Sequence, residues 1–260
     1  VPAGLWNKAI DEITAPELLK ALLAIKPHER ARNHKGERLP ETLRRIRQRL
    51  DAVFEDAIFH GRCTTNQAAA IQRKLREGMP DSGAGSFAAL PYAEVPEFMR
   101  RLRAAPGTAA RCLELAVLTA ARTNEVLGAT WDEFDLEAAV WSIPASRMKA
   151  RQEHVVYLSA SAVELLRAQQ SLGLDDTVVF PSPMDSTKPL SNMAMLAVLD
   201  RLNVRDRTTV HGLCRSTFST WANETGAARP DVIEACLAHG ELDKVRAAYN
   251  KATFASERRA

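Results

Sequence analysis

The stretch Met79-Pro-Asp-Ser-Gly-Ala-Gly-Ser86 constrains this chain more than any other, because it interrupts 260 residues of dense apolar patterning with little to bury. Gly and Ser leave the backbone free and Pro does not continue a helix, so the run reads as a flexible connection. It divides the chain into an expected domain over residues 1–80, a linker over 81–86 and a larger domain over 87–260. At this length two separate hydrophobic cores can form.

The first domain reads as helical throughout. Thr14-Ala-Pro-Glu opens a helix with an N-cap and an early Pro, and Leu18, Leu19, Leu22 and Leu23 supply its apolar face. Residues 26–40 are polar, with Lys35, Gly36 and Pro40 marking a loop. From Glu41 onward Leu43, Ile46, Leu50, Val53, Phe54, Ala57 and Ile58 recur at helical spacing, while Arg44, Arg45, Arg47 and Arg49 fall mostly off that stripe. Eight basic residues between Arg30 and Arg49 face only Glu37 and Glu41. The helix is therefore either a solvated charged face or an electrostatic footprint for a phosphate backbone. Gly61 ends it, and Thr65 or Asn66 caps a last short helix reaching about Gly78.

In the second domain helices are expected over 92–102, 109–121, 159–172, 191–202, 208–224 and 231–239. Val140-Trp-Ser-Ile-Pro and His154-Val-Val-Tyr-Leu pattern as strands, joined through Arg147-Met-Lys-Ala-Arg-Gln-Glu into a hairpin with Lys149 near its tip. Val178-Val-Phe180 is a short extended run ending at Pro181. The expected fold class is mainly α with a small antiparallel β-sheet in this second domain.

Composition narrows the function classes. The most apolar run, 113–121, contains Glu114 and falls far short of the ~20 residues that a bilayer-spanning helix needs. No secretory signal is visible, and the chain opens at Val1 rather than Met, which leaves an upstream domain open. A net charge of +3 permits nucleic-acid binding without demanding it. Cys63, Cys112, Cys214 and Cys236 read as reduced, intracellular thiols. His211 with Cys214, and Cys236 with His239, have spacings that could hold a tetrahedral zinc ion. That alternative leaves the arginines and Tyr249 without a role, and both cysteines sit in apolar helical runs where a small buried thiol is common.

The chemistry concentrates in residues 210–250, which gather His211, Arg215, His239 and Tyr249. Arg presents a planar fork matched to phosphate oxygens, His donates to a further oxygen or moves a proton near neutrality, and Tyr attacks as a nucleophile. Converging on one phosphodiester, they suit transfer of the phosphoryl group from a nucleic-acid oxygen to the tyrosine oxygen. Each also has a blander reading. A helical His is commonly satisfied in the core or at the surface, and Tyr249 could simply pack its ring. Arg122, at the end of an apolar helix, could snorkel outward or pair with Glu125, and Lys149 in a hairpin turn could be merely solvated.

In the order Arg122, Lys149, His211 with Arg215, His239, Tyr249, the chain resembles the tyrosine recombinases, specifically the integrases of phages and genomic islands. The resemblance is strongest over 118–125, 148–159 and 209–252, where Thr-Phe-Ser-Thr-Trp-Ala-Asn-Glu and Val-Arg-Ala-Ala-Tyr-Asn are the most specific phrases. It implies a helical core-type DNA-binding domain in 1–80, with Arg44, Arg45, Arg47 and Arg49 as DNA-binding candidates, joined to a tyrosine-recombinase catalytic domain in 87–260. The implied activity is site-specific recombination that integrates or excises a mobile element. Arg122 and Arg215, helped by His211 and His239, would neutralise the nonbridging oxygens while Tyr249 becomes a 3′-phosphotyrosine. Lys149 would protonate the departing 5′ oxygen, a role worth about 10² to 10⁴ in rate. No metal, ATP or other cofactor is implied. The implied partners are double-stranded recombination sites, further copies of the chain in a homotetramer on DNA, and accessory DNA-bending or directionality factors. The implied location is the prokaryotic cytoplasm at the nucleoid. An arm-binding domain, frequent upstream in the family, is not among these residues.

Two departures from the family pattern stand out. His211-Gly-Leu-Cys-Arg215 places three residues between His and Arg where two are usual, and Ala120-Ala121 stands where Gly is usual. Positions i+3 and i+4 share a helix face, so His211 and Arg215 can still converge. Two other classes stay open: a type IB topoisomerase with similar chemistry on one duplex, and a noncatalytic DNA-binding module in which a displaced His211 has abolished activity.

Overall fold

The computed structural model describes residues 5, 7–25, 40–79, 88–239 and 252–259, and the chain divides into two compact units, Val1–Gly85 and Ser86–Ala260. Of the expected loop over 26–40, residues 26–39 lie outside the described residues, as do the linker over 81–86 and Tyr249, while Pro40 already opens a helix.

In the first unit Ala15–Leu23 (α1), Pro40–Phe59 (α2), Gln67–Ala70 (α3) and Gln72–Glu77 (α4) are helices. Glu17 accepts from the Thr14 N–H (3.1 Å) at the start of α1, and Asn66 Oδ1 accepts from the Ala69 N–H (2.9 Å) at the start of α3. Both bonds satisfy donors that a helix terminus leaves open. The single helix expected after Asn66 is broken at Ile71, whose side chain joins Leu18, Leu22, Phe54, Ala57 and Leu75 in the core.

Arg47 departs from its expected place. It follows Leu43 by four residues and precedes Phe54 by seven, so helical geometry puts it on the buried stripe of α2. Its residue is 8% exposed, Nη1 donates to the Ala68 carbonyl (3.3 Å), and Asp51 lies 3.6 Å away. Arg47 is thus a core arginine, whereas Arg44, Arg45 and Arg49 are exposed and the first two pair with Glu41.

In the second unit, Val95–Ala104 (α5), Thr108–Thr119 (α6) and Thr123–Leu127 (α7) precede a sheet of Phe134–Asp135 (β1), Val140–Ile143 (β2) and His154–Tyr157 (β3). The strands run antiparallel in the order β1-β2-β3, with Trp141 opposite Val156 and Ile143 opposite His154. Alternation along β2 sends Trp141 and Ile143 into the core. Ala160–Ser171 (α8) follows, then a hairpin of Pro181–Ser182 (β4) and Asp185–Pro189 (β5), then Ala194–Arg201 (α9), Thr217–Glu224 (α10), Pro230–Cys236 (α11) and Ala255–Arg259 (α12). Helix α6 runs through the centre of this core, and its one buried acid, Glu114, accepts from Arg103 (2.7 Å) and Arg111 (2.6 Å). No helix among the described residues is long and apolar enough to cross a membrane.

Ahead of α10 the chain does not stay α-helical. Gly212–Ser216 is a π-turn, closed by the Thr217 N–H donating to the Gly212 carbonyl five residues back. A π-turn accommodates one more residue than an α-turn. It thereby absorbs the third residue between His211 and Arg215. Gly212 also lets another segment approach: a Cβ there would lie 1.9 Å from the Ala88 carbonyl oxygen. That oxygen accepts from the Thr209 N–H (3.0 Å) and Thr208 Oγ1 (3.1 Å), and Leu90 O accepts from Thr217 Oγ1 (2.7 Å).

Candidate active site

Two helix ends make the floor of the site. Ala120, after α6, and Ala238, after α11, both adopt left-handed backbone at φ 50. For a residue with a Cβ this costs about 1–2 kcal/mol. Arg215 Nη1 donates to Ala120 O (2.7 Å) and Nη2 to Leu237 O (2.5 Å), while Arg122 Nη2 donates to Ala238 O (3.2 Å). Carbonyls at a helix C-terminus form the negative end of its dipole, so they orient guanidiniums without neutralising them.

The two arginines are balanced differently. Arg122 opens α7, and Glu125, 3% exposed, accepts from both its backbone N–H (2.8 Å) and its Nη1 (2.8 Å). Arg215 is 4% exposed and, among the described residues, no carboxylate pairs with it. Its Nε is buried with no hydrogen-bond partner among the described residues. Burial first, and then the Arg122 cation, pull its pKa down to about 10, which leaves it protonated at neutral pH.

His239 completes the cradle. Its Nε2 lies 2.9 Å from Arg215 Nη2 and its Nδ1 lies 2.6 Å from Glu234 Oε2. A guanidinium only donates, so this network assigns Nε2 as acceptor and places the proton on Nδ1, facing Glu234. His211 is exposed at the start of the π-turn, and its pKa is lowered by partial burial and then by Arg215, Arg122 and His239. Lys149 sits in the turn between β2 and β3, exposed and with no ion-pair partner among the described residues.

The structure adds one residue that the sequence reading passed over. His154, the first residue of β3, has its pKa pulled down to about 4, first by burial and then by the Arg258 cation, with Glu125 opposing and Arg122 and Arg215 reinforcing the shift. It is a neutral imidazole within the field of both site arginines. In the sequence it reads as the edge of an apolar strand run.

Tyr249 lies outside the described residues, but the chain is anchored on both sides of that segment. His239 lies at the site before it and α12 is docked after it, where Arg258 donates to Val155 O on β3 and Glu257 pairs with Arg229 (2.6 Å). The Tyr157 ring is covered by Arg258 (5.1 Å) and Arg259 (4.5 Å).

His211, Cys214, Cys236 and His239 do not converge. Among the described residues no three His, Cys, Asp or Glu side chains are grouped to hold a metal ion. The Cys214 thiol is wholly buried and pushed up to about 12 by desolvation, so it stays protonated, and burial raises Cys112 as well.

Residues 89–256 match the family model described as the phage integrase family, and residues 2–74 match the phage integrase central domain. The prophage integrase IntZ of Escherichia coli (strain K12) is 37% identical over 258 residues, covering 98% of this chain and 60% of that protein. The integrase of Enterobacteria phage P4 is 32% identical over 227 residues, covering 80% of this chain and 50% of that one. The chain therefore spans only part of the length of these relatives. Among solved structures, a lambda integrase tetramer bound to a Holliday junction superposes with a TM-score of 0.61 at 18% identity, covering 91% of this chain and 68% of that one. At such identity the likeness speaks for the fold alone.

Proposed function

Because the chain belongs to the phage integrase family of tyrosine recombinases, we propose that it is a site-specific DNA recombinase that cleaves and rejoins duplexes through a 3′-phosphotyrosine on Tyr249, integrating or excising a mobile element. The observation that carries this reading is Arg215, a buried guanidinium resting on two carbonyls and an imidazole, with no carboxylate among the described residues. A cation so enclosed costs several kcal/mol unless an anion completes it. Two nonbridging phosphate oxygens match its fork.

Arg122, oriented by Glu125 and Ala238 O, supplies a second fork to the same phosphate. His239 is held at Nδ1 by Glu234 with Nε2 against Arg215, so it serves the phosphate as the imidazolium, its Nε2–H turned to an oxygen once the phosphate replaces it on Arg215, and His211 stands within the field of both. Charge developing at phosphorus is then met by groups already in place. The Tyr249 hydroxyl gives up its proton to water as its oxygen bonds to phosphorus, the bond to the 5′ oxygen breaks, and Lys149 gives that oxygen a proton. The phosphotyrosine retains the diester's energy, so a partner strand's 5′ hydroxyl reverses the step, and two such exchanges recombine two duplexes. Support for Tyr249 comes from the Val-Arg-Ala-Ala-Tyr-Asn phrase and from the anchoring of the chain at His239 before it and α12 after it.

On this reading the first unit binds the duplex, with Arg44, Arg45 and Arg49 on its exposed face. Four copies act together on DNA on this reading, the arrangement in which lambda integrase, which shares the fold, is seen on a Holliday junction. The setting is the prokaryotic nucleoid, with accessory bending or directionality factors. The test is incubation with nicked duplexes spanning the junctions between the encoding element and its host chromosome, followed by denaturing gels. A covalent protein–DNA adduct and strand exchange between two duplexes are expected. Binding without any adduct would replace this reading with the noncatalytic module.

A further inference from the structure

The hairpin that carries Lys149 and the turn that carries Arg122 come from different stretches of sequence, and one side chain joins them. Arg147 closes the short 3-10 turn Ala145–Arg147, two residues before Lys149. Its Nη1 donates to both carboxylate oxygens of Glu133 and its Nη2 donates to the main-chain carbonyl of Glu125. Glu133, 9% exposed, also accepts from the indole Nε1 of Trp141 (2.9 Å), whose ring is fully buried in β2. Glu125 is thus gripped at its carbonyl by Arg147 while its carboxylate grips Arg122.

The fit is close and largely dry. A Cβ at Gly128 would meet Arg147 Nη2 at 3.2 Å, and the Arg147 side chain is 22% exposed. Bonds made out of water are stronger, and removing one partner there leaves the other group uncompensated. Unlike Arg215, Arg147 has its charge answered by a carboxylate, so it is not waiting for phosphate. Met148, buried in the main core, pins the next residue, and two residues of chain reach at most about 7 Å from Arg147 to Lys149.

We propose that Arg147 is a positioning residue. Tied to Glu133 and to the Glu125 carbonyl, it sets the distance between the Lys149 ammonium and the Arg122 guanidinium so that both meet one phosphodiester, Lys149 at the leaving oxygen and Arg122 at a nonbridging one. Lysine would serve only in part, because its ammonium can donate to the carboxylate and the carbonyl but does not hold them in the fixed planar geometry of the fork. The inference rests on the recombinase reading of Lys149 and Arg122, and its test separates the two.

The full chain, Arg147→Met, Arg147→Lys and Lys149→Ala are compared on nicked element–host junction duplexes carrying either the ordinary 5′ oxygen or a bridging 5′ sulfur at the cleaved bond. A thiol, with a pKa of about 8.5, leaves as the thiolate and needs no proton donor. A misplacement near 1 Å costs about 10²-fold, so Arg147→Met should cleave the oxygen substrate about 10²-fold more slowly and the sulfur substrate near the parent rate. Lys149→Ala should show the same pattern, and Arg147→Lys should fall between. Arg147→Met cutting the oxygen substrate at full rate, or slowed equally on both while sulfur rescues Lys149→Ala, overturns the proposal. If sulfur fails to rescue Lys149→Ala, or no junction duplex is cut, the recombinase reading of Lys149 fails instead. Hydrogen exchange on the unliganded chain then decides Arg147 alone. Joint loss of protection at 122–127 and 148–153 in Arg147→Met sustains the link, and loss at only one or at neither overturns it.

Discussion

Gly212→Ala offers a test in which local and tertiary physics predict opposite signs. In a helical segment, replacing Gly by Ala ordinarily stabilises by about 1 kcal/mol. Here the new Cβ would sit 1.9 Å from Ala88 O, 2.8 Å from Ala88 C and 3.2 Å from Ala89 Cα, where 3.4–4 Å is ordinary van der Waals separation, and all three neighbours are backbone. The segment at 88–90 has to retreat, and in doing so it gives up the bonds from Thr209 N–H and Thr208 Oγ1 to Ala88 O. Overpacking costs about 1–3 kcal/mol. Two hydrogen bonds at about 0.5–1.5 kcal/mol each, less the propensity gain, bring the net loss to about 3 kcal/mol. For a unit of this size that lowers the melting midpoint by about 6–12 °C. Tryptophan fluorescence reads the transition, since Trp131, Trp141 and Trp221 all lie in the second unit. An unchanged or raised midpoint would refute the close approach of the Ala88 carbonyl and leave helix propensity in charge.

Tyr249→Phe removes one oxygen, so noncovalent DNA binding should persist while the covalent adduct disappears; adduct that survives, or that maps by peptide sequencing to Tyr92 or Tyr157, ends the nucleophile assignment. Replacing Arg44, Arg45 or Arg49 by Ala should flatten the log–log salt dependence of DNA binding by about 0.9 for each phosphate left without its cation. Arg47→Ala should leave that slope alone and instead destabilise the first unit by about 1–2 kcal/mol, measured by urea unfolding. The pKa of His154 lies near 4 in the folded chain against 6.5 for a free imidazole, so between these values the unfolded chain binds the extra proton. Its contribution to stability is therefore complete above pH 6.5 and declines as the pH falls toward 4. His154→Gln should remove up to about one proton from the pH slope of unfolding in that window, and identical slopes for parent and variant would show that the imidazole is not buried.

Patterns of period 3.6 and 2 were legible wherever they ran long. The stripe from Leu43 to Ile58 and the strands around Trp141 and Val156 gave both helix α2 and the β2–β3 hairpin, and with them the turn holding Lys149. Strand β1 has only two residues and β5 is the polar Asp185-Ser-Thr-Lys-Pro, so neither leaves a hydrophobic signature. Arg47 was misplaced because residue type outweighed position; a strict count at four and seven residues puts it inside. The longer spacing between His211 and Arg215 showed as a departure, but its remedy, a π-turn, lies in backbone hydrogen bonding that side-chain order does not encode. Ala120, where Gly is usual, keeps the left-handed backbone at the cost of strain. His154 and Arg147 act through neighbours brought together only by the fold.

Holding Arg215 on helix-end carbonyls rather than on an acid makes folding and ligand occupancy a single equilibrium. Carbonyl dipoles orient the guanidinium without cancelling its charge, so the empty protein folds against a residual positive potential. Any anion that enters adds RT ln(1 + [L]/Kd) to stability, about 2.7 kcal/mol at a hundredfold excess over Kd. On the proposed reading that anion is the DNA phosphodiester, so DNA would be a structural component in the thermodynamic sense and the protein that has just released it the less stable species.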